Sequence, residues 1–178
     1  MSYAIKLDRN KDNQAVLSPD FYSRVTADGG LQMKVGETDD PKAFAKTKLQ
    51  PGKWYYIAWV YKNQHVRCYI NGVLDNEFDV PKVETFTKLN MSWGAFEGYV
   101  REIRLYNKAL TAFQVADNLY IETPDNPDLL FYAPLDKKTG IKDVSKKQNT
   151  IKVYAAGSND ATEYNQSLLT WSNEKFPE

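Results

Sequence analysis

Three features of this sequence predict an all-β sandwich of two antiparallel sheets with one short helix. Short alternating segments recur along the chain, broken by turn residues at close intervals. Aromatic residues, which favour strands, make up 13% of it, as twelve Tyr, eight Phe and four Trp. One stretch carries large side chains on both faces: Trp54, Tyr56, Ala58 and Val60 on one, and Tyr55, Ile57, Trp59 and Tyr61 on the other. A strand apolar on both sides is covered on both sides, so 54–61 is expected near the middle of its sheet.

The elements follow in order. Tyr3 to Asp8 alternates as a strand and breaks at the polar run Arg9 to Asn13, and Ala15 to Leu17 is a short apolar piece. Phe21 to Val25 and Leu31 to Val35 form a hairpin about Asp28-Gly29-Gly30. A charged loop from Glu37 to Lys42 leads to the 54–61 strand, which turns through Lys62-Asn63-Gln64-His65 into Val66 to Ile70. Asn71-Gly72 is a two-residue turn signal, and Leu74 to Val80 returns beyond it. Further strands are expected over 85–93 and 99–106, with a turn at Gly94 to Gly98. Thr111 and Gln114 make a capping box for the helix, on which Phe113, Ala116 and Leu119-Tyr120 share one face. The expected organisation is a sandwich over 1–122, a polar linker with two prolines over 123–128, and a segment over 129–178 that completes or packs on the same sandwich.

Bulk properties exclude several functions. The 178 residues suffice for one sizeable core, and 42% hydrophobic with 26% charged residues is ordinary for a globular protein. Twenty-three basic and twenty-three acidic residues cancel, so no electrostatic signal points to nucleic acid or an anionic membrane. No apolar run reaches the length of a membrane span, and no secretory leader is read before Tyr3. Cys68 is the single cysteine, which rules out an intrachain disulfide and a cysteine metal cage; between Val66 and Ile70 it reads as a small buried hydrophobe. His65 is the single histidine, so histidine-rich zinc sites are excluded and a Ser-His-Asp triad would need this turn residue.

The segments Trp54 to Ala58, Cys68 to Gly72, and above all Phe96 to Thr111 resemble laminin-G-like domains of the concanavalin A-like lectin/glucanase superfamily. The resemblance runs from about Leu31 to Tyr120 and implies a jelly roll. The tail residues Leu130 to Asp136, with Asp143-Val144-Ser145, resemble the opening strand and loop of the same kind of domain. They form either a truncated second copy or a strand completing the first sandwich, and completion avoids unpaired edges. The whole chain is similar to C-terminal modules of surface lipoproteins in gut Bacteroides-type bacteria, commonly tied to glycan capture. That likeness implies an extracellular or cell-surface, non-catalytic carbohydrate-binding or adhesion module, with other domains of a larger, outer-membrane-anchored parent as partners.

Each candidate chemistry has a bland alternative. A retaining glycosidase needs two carboxylates about 5 Å apart. Glu77 and Asp79 share a strand face, but the next acid is Glu84 and Pro81 interrupts the strand, so two solvated acids are the favoured reading and no enzyme is expected. Sugar binding needs flat rings beside polar groups. Tyr55, Trp59 and Tyr61 offer a row of rings, with Tyr69 beside them, although a central strand makes that row core. Trp93 precedes Gly94 at a strand end and Tyr99 lies just beyond the turn, where binding loops are placed, though a Trp there equally caps a core. The candidate ligand-binding residues are therefore Trp93, Tyr99, Trp59 and Tyr55. No cofactor is expected. A structural calcium, frequent in the family, would look to Asp28, Glu37, Asp39 and Asp40, but Arg101 stands where many relatives carry an acid.

Overall fold

Alternation along the chain decides the layers. The computed structural model describes residues 1–12, 14–15, 21–35, 43–80, 96–121, 123–152 and 171. Among these residues ten strands and one helix form: β1 Ser2–Leu7, β2 Gln14–Ala15, β3 Phe21–Val25, β4 Gly30–Val35, β5 Phe44–Lys48, β6 Trp54–Lys62, β7 His65–Ile70, β8 Val73–Asp79, β9 Gly98–Tyr106, α1 Ala112–Asp117 and β10 Leu129–Ala133. A six-stranded sheet runs β10-β9-β1-β6-β7-β8 and a four-stranded sheet runs β2-β3-β4-β5, with antiparallel pairing throughout. The strand expected over 85–93, the pieces at 16–17, 153–154 and 168–170, Glu37, Asp39, Asp40 and Trp93 lie outside the described residues.

β6 is an interior strand, and its two faces feed two cores. Ile57 and Trp59 join Tyr3, Ile5, Leu7, Val66, Cys68, Ile70 and Ile103 against Val25, Leu31, Met33, Ala45 and Leu49 of the smaller sheet's layer. Tyr56, Ala58 and Val60 instead join Ala4, Tyr69, Tyr106, Leu110, Val115, Leu129 and Tyr132 on the outer side. The middle of the six-stranded sheet is thus buried on both faces, inside by its partner sheet and outside by Leu110, Val115 and Leu119 in and around α1 and by Val144. Each such apolar side chain contributes roughly 1.5–3 kcal/mol of burial.

Local chemistry sets the turns and caps. Asn63 and Gln64 take φ of 52° and 62°, and Asn71 and Gly72 take 50° and 80°, the double left-handed pattern that matches strand twist in tight hairpins. The capping box forms, with the Gln114 amide donating to Thr111 Oγ1 at 3.2 Å and the Thr111 amide to Gln114 Oε1 at 3.0 Å. The helix face is a correction, however. Val115 is the residue that enters the core, while Phe113 and Tyr120 face solvent.

A bulge in β9 matters more. Strict alternation would put Arg101 and Ile103 on the same face. Glu102 adopts φ of 58°, the pairing with β1 shifts between Ser2 and Ala4, and Arg104 lands beside Tyr106 on the outer face while Ile103 enters the inner core. Buried Arg104 donates to the Asn118 carbonyl at 2.8 Å, to Glu102 Oε2 at 2.8 Å and to the Tyr132 hydroxyl at 3.0 Å. Its guanidinium carbon lies 4.4 Å from the centre of the Tyr132 ring. That one cation ties the turn after α1 and strand β10 to β9. Asp143 fastens the next loop, accepting from the amides of Tyr132, Ser145 and Asn149 and from Asn149 Nδ2.

The two sheets are also stitched at an edge. The Asp75 carboxylate accepts from the amides of Lys46 and Thr47 and from the Thr47 hydroxyl, and Asn76 Nδ2 donates to the Phe44 carbonyl at 2.7 Å. These bonds occupy backbone groups of β5 that an edge strand would otherwise leave bare.

Candidate functional site

At one end of the six-stranded sheet, three neighbouring strands place Trp54, Lys6 and Tyr99 in one row. Lys6 is the register partner of Trp54 on one side and of Tyr99 on the other. The two rings reach each other across β1, with centroids 6.4 Å apart and planes at 48°. The Lys6 ammonium lies 5.8 Å from the Tyr99 ring centre. Tyr99 is 39% exposed and Trp54 is partly exposed, with the rest of the indole packed on the outer core.

The row depends on Gly98, which has φ of 147° and lies so close to β1 that a Cβ there would stand 2.2 Å from the Lys6 carbonyl oxygen. Any side chain would push β9 off β1 and carry Tyr99 with it. Arg101 follows on the same strand, its side chain 3.9 Å from Glu102. Asp136 stands in the loop after β10. Burial works against its charge, yet the amide and hydroxyl of Thr139, with the positive charge of Arg101, outweigh that and hold the carboxyl below its ordinary value. The arrangement offers an aromatic surface with polar groups at its rim.

Of the three candidate rings among the described residues, Tyr99 is the exposed one. Trp59 is only 1% exposed, packs edge-on to Phe78 at 6.3 Å and donates its indole N–H to Ser23 Oγ at 3.1 Å. It is core, and the expectation that it meets a ligand is corrected. Tyr55 points to the same inter-sheet side, half-buried, with its hydroxyl accepting from the Gln50 amide at 3.1 Å. Trp59, sealed between the sheets, has no route to a ligand. Tyr99 is exposed, and Trp93 lies outside the described residues. Trp54 was not among the candidates. Its exposure comes from its place opposite Lys6, a matter of strand register.

The paired acids are engaged by bases. His65 Nδ1 meets Asp79 at 2.8 Å, His65 Nε2 meets Glu77 at 3.2 Å, and Arg67 Nε lies 3.8 Å from Glu77. Both carboxylates are open to water, with side chains 53% and 88% exposed. A glycosidase's acid needs a sheltered setting that keeps it protonated, and neither residue has one. Acceptance of the ring's hydrogen bonds by Asp79, and then by Glu77, raises the His65 pKa.

Asp28 does not fit a calcium ion, because its carboxylate is bound by Lys48 Nζ at 2.6 Å, Thr26 Oγ1 at 2.5 Å and the Gly30 amide at 3.2 Å. These donors hold it well below the ordinary carboxylate range. Among the described residues no group of three or more His, Cys, Asp or Glu side chains is arranged to hold a metal ion. Among them, too, no helix is long and apolar enough to cross a membrane.

Comparison with known proteins places this geometry. The laminin-G-like family model described as "Concanavalin A-like lectin/glucanases superfamily" matches residues 2–116, reaching further toward the N-terminus than the motifs alone suggest. A candidate carbohydrate-binding protein from Bacteroides ovatus ATCC 8483 is similar in fold, with a TM-score of 0.65, 19% identity, and coverage of 76% of this chain and 44% of that one. Domain 4 of AbnA, a GH43 extracellular arabinanase from Geobacillus stearothermophilus solved with arabinotriose, is similar with a TM-score of 0.53 and 25% identity, covering 66% of this chain and 64% of that one. The chain therefore spans less than two thirds of the length of either structure. No curated protein sequence matches it.

Proposed function

The chain belongs to the concanavalin A-like lectin/glucanases superfamily, and we propose on that premise that it is a non-catalytic carbohydrate-binding module. The observation that carries the reading is the Trp54–Tyr99 ring pair, exposed at a sheet end and flanked by Lys6. Rings of this kind stack on the apolar faces of sugars while charged and amide groups at the rim meet hydroxyls. Two proteins of the same fold, one a candidate carbohydrate binder and one bound to arabinotriose, support the direction. The acids Glu77 and Asp79, tied to His65 in open water, support binding without hydrolysis.

The proposal extends to the setting. The module belongs to a larger parent protein displayed at a bacterial cell surface, where glycan capture serves polysaccharide use. The segment after the 123–128 linker acts as part of the same sandwich, a reading supported by the pairing of β10 with β9.

Affinity electrophoresis on a panel of polysaccharides, together with a glycan array, tests the binding. Retention by at least one glycan, weakened about tenfold or more in the Trp54→Ala/Tyr99→Ala double variant, is expected. Absence of retention by every glycan, with the chain folded, would overturn the reading. A second reading, a module that only displays or joins neighbouring domains, is favoured by the outer core, where the middle of the six-stranded sheet is filled by this chain's own residues. It gains if the double variant lowers the melting temperature and changes no binding.

A further inference from the structure

Of the helix face that the sequence marks as apolar, Leu119 packs on the outer core while Phe113 and Tyr120 turn outward, and these two rings flank more than bare hydrophobic surface. Phe113 is 74% exposed and Tyr120 76% exposed, although both stand among the largest apolar side chains of this segment. Seven residues separate them, close to two helical turns, which puts the rings on one side at a separation of about 10 Å. The turn after α1 continues the coil, with the amides of Tyr120 and Ile121 donating to the Asp117 carbonyl at 2.9 and 3.0 Å.

Between the rings, four residues after Phe113 and three before Tyr120, stands the side chain of Asp117. Its carboxylate makes no hydrogen bond or ion pair among the described residues. Beside this face the Asn71-Gly72 turn rests on the helix, so close that a Cβ on Gly72 would stand 2.8 Å from Leu119 Cδ1 and 3.3 Å from Ala116 Cα. Val73, 69% exposed, borders the same contact. The result is two exposed rings with one acceptor between them, beside the seam where the Asn71-Gly72 turn packs on Ala116 and Leu119. The last turn of α1 holds no basic residue.

We infer that Phe113, Asp117 and Tyr120 form a second carbohydrate contact, which takes a neutral glycan strand lying along α1. The rings stack on sugar faces two units apart and the Asp117 carboxylate accepts from the hydroxyls between them. A carboxylate with no cation beside it disfavours uronates and sulfate esters, which selects an uncharged chain. This inference rests on the carbohydrate reading above but on different residues.

Binding of linear arabinan, laminarin and polygalacturonate, measured by calorimetry and affinity electrophoresis, tests it with four variants. Phe113→Ala and Tyr120→Ala are each expected to weaken binding of a neutral polysaccharide about tenfold, while Tyr120→Phe retains it and Asp117→Ala weakens it less. Two of the three positions are exposed and Asp117 is partly so, and unchanged melting temperatures will show that the fold is intact. If arabinan or laminarin binds and the Phe113 and Tyr120 variants match the wild type, this contact is refuted and the Trp54–Tyr99 reading stands. If neither neutral glycan binds the intact chain, this contact is refuted, while the Trp54–Tyr99 reading falls only if the wider panel also shows no retention. Preference for polygalacturonate, or a loss of self-association in the variants without a loss of glycan, refutes the inference as well.

Discussion

Replacing Arg104 by Met is expected to destabilise the protein by about 3–5 kcal/mol, the usual cost of removing one partner from a buried ion pair. The substitution keeps an unbranched apolar stem in place, so volume changes little and the loss reports the charge. The guanidinium side chain is 2% exposed. Without it, Glu102 loses its cation, the Asn118 carbonyl loses a donor at 2.8 Å, and the Tyr132 hydroxyl loses one at 3.0 Å. Each bond to a charged group is worth roughly 1.5–3 kcal/mol, so the bonds alone reach the expected total. In a chain of this length that corresponds to a fall in melting temperature of about 6–20 °C. Urea unfolding followed by circular dichroism measures it, with an unchanged m-value showing that the denatured state is not the source. The Arg104→Met/Glu102→Gln double variant should recover part of the loss, since no buried charge is then left behind. A single-variant loss under about 1 kcal/mol would refute the view that this cation fastens the outer layer.

Other perturbations follow from the same contacts. Ser23→Ala removes the acceptor of both the Tyr3 hydroxyl at 2.6 Å and the Trp59 indole at 3.1 Å, and a loss of about 2–4 kcal/mol is expected in chemical unfolding. For Asp143, burial opposes the charge, but the amides of Tyr132, Asn149 and Ser145 outweigh it and hold the carboxyl below its ordinary value. Its contribution is therefore present above the unfolded carboxyl pKa of about 4 and fades as pH falls through the folded one, so Asp143→Asn should flatten the acid limb of a stability-pH profile. His65 titrates above its ordinary value because Asp79 and Glu77 bind its ring, and its small contribution is complete below about pH 6.5 and lost as pH rises through the folded pKa. NMR of the ring protons should show that raised pKa, and Asp79→Asn should bring it down. Gly98→Ala should separate β9 from β1, seen as the loss of the Trp54–Tyr99 ring contact in NOE spectra.

Local chemistry was read where it is local. The hairpin turns at Asn71-Gly72 and the capping box of Thr111 and Gln114 need only neighbours in sequence, and both form as expected. The central place of 54–61 follows from large side chains on both of its faces, and β6 is interior. The candidate site was legible only in part. Tyr99 was visible as a ring just past a turn, but Trp54 becomes its partner through pairing of β6 and β9 with β1, which no spacing along the chain encodes. Trp59 was misjudged in the other direction, because a row of rings looks the same whether a second sheet covers it or water does.

Strand periodicity, the turns, the helix start and the exclusion of disulfides and of zinc sites built on cysteine or histidine all follow from residue type and short spacing. Which faces are covered depends instead on packing between distant segments. The bulge at Glu102 swings Arg104 into the outer core, and that core is completed by Val115 of α1, so Phe113 and Tyr120 are left outside. A one-residue shift in a ladder reverses every side chain beyond it, and such a shift is set by packing between distant segments rather than by the residues that make it.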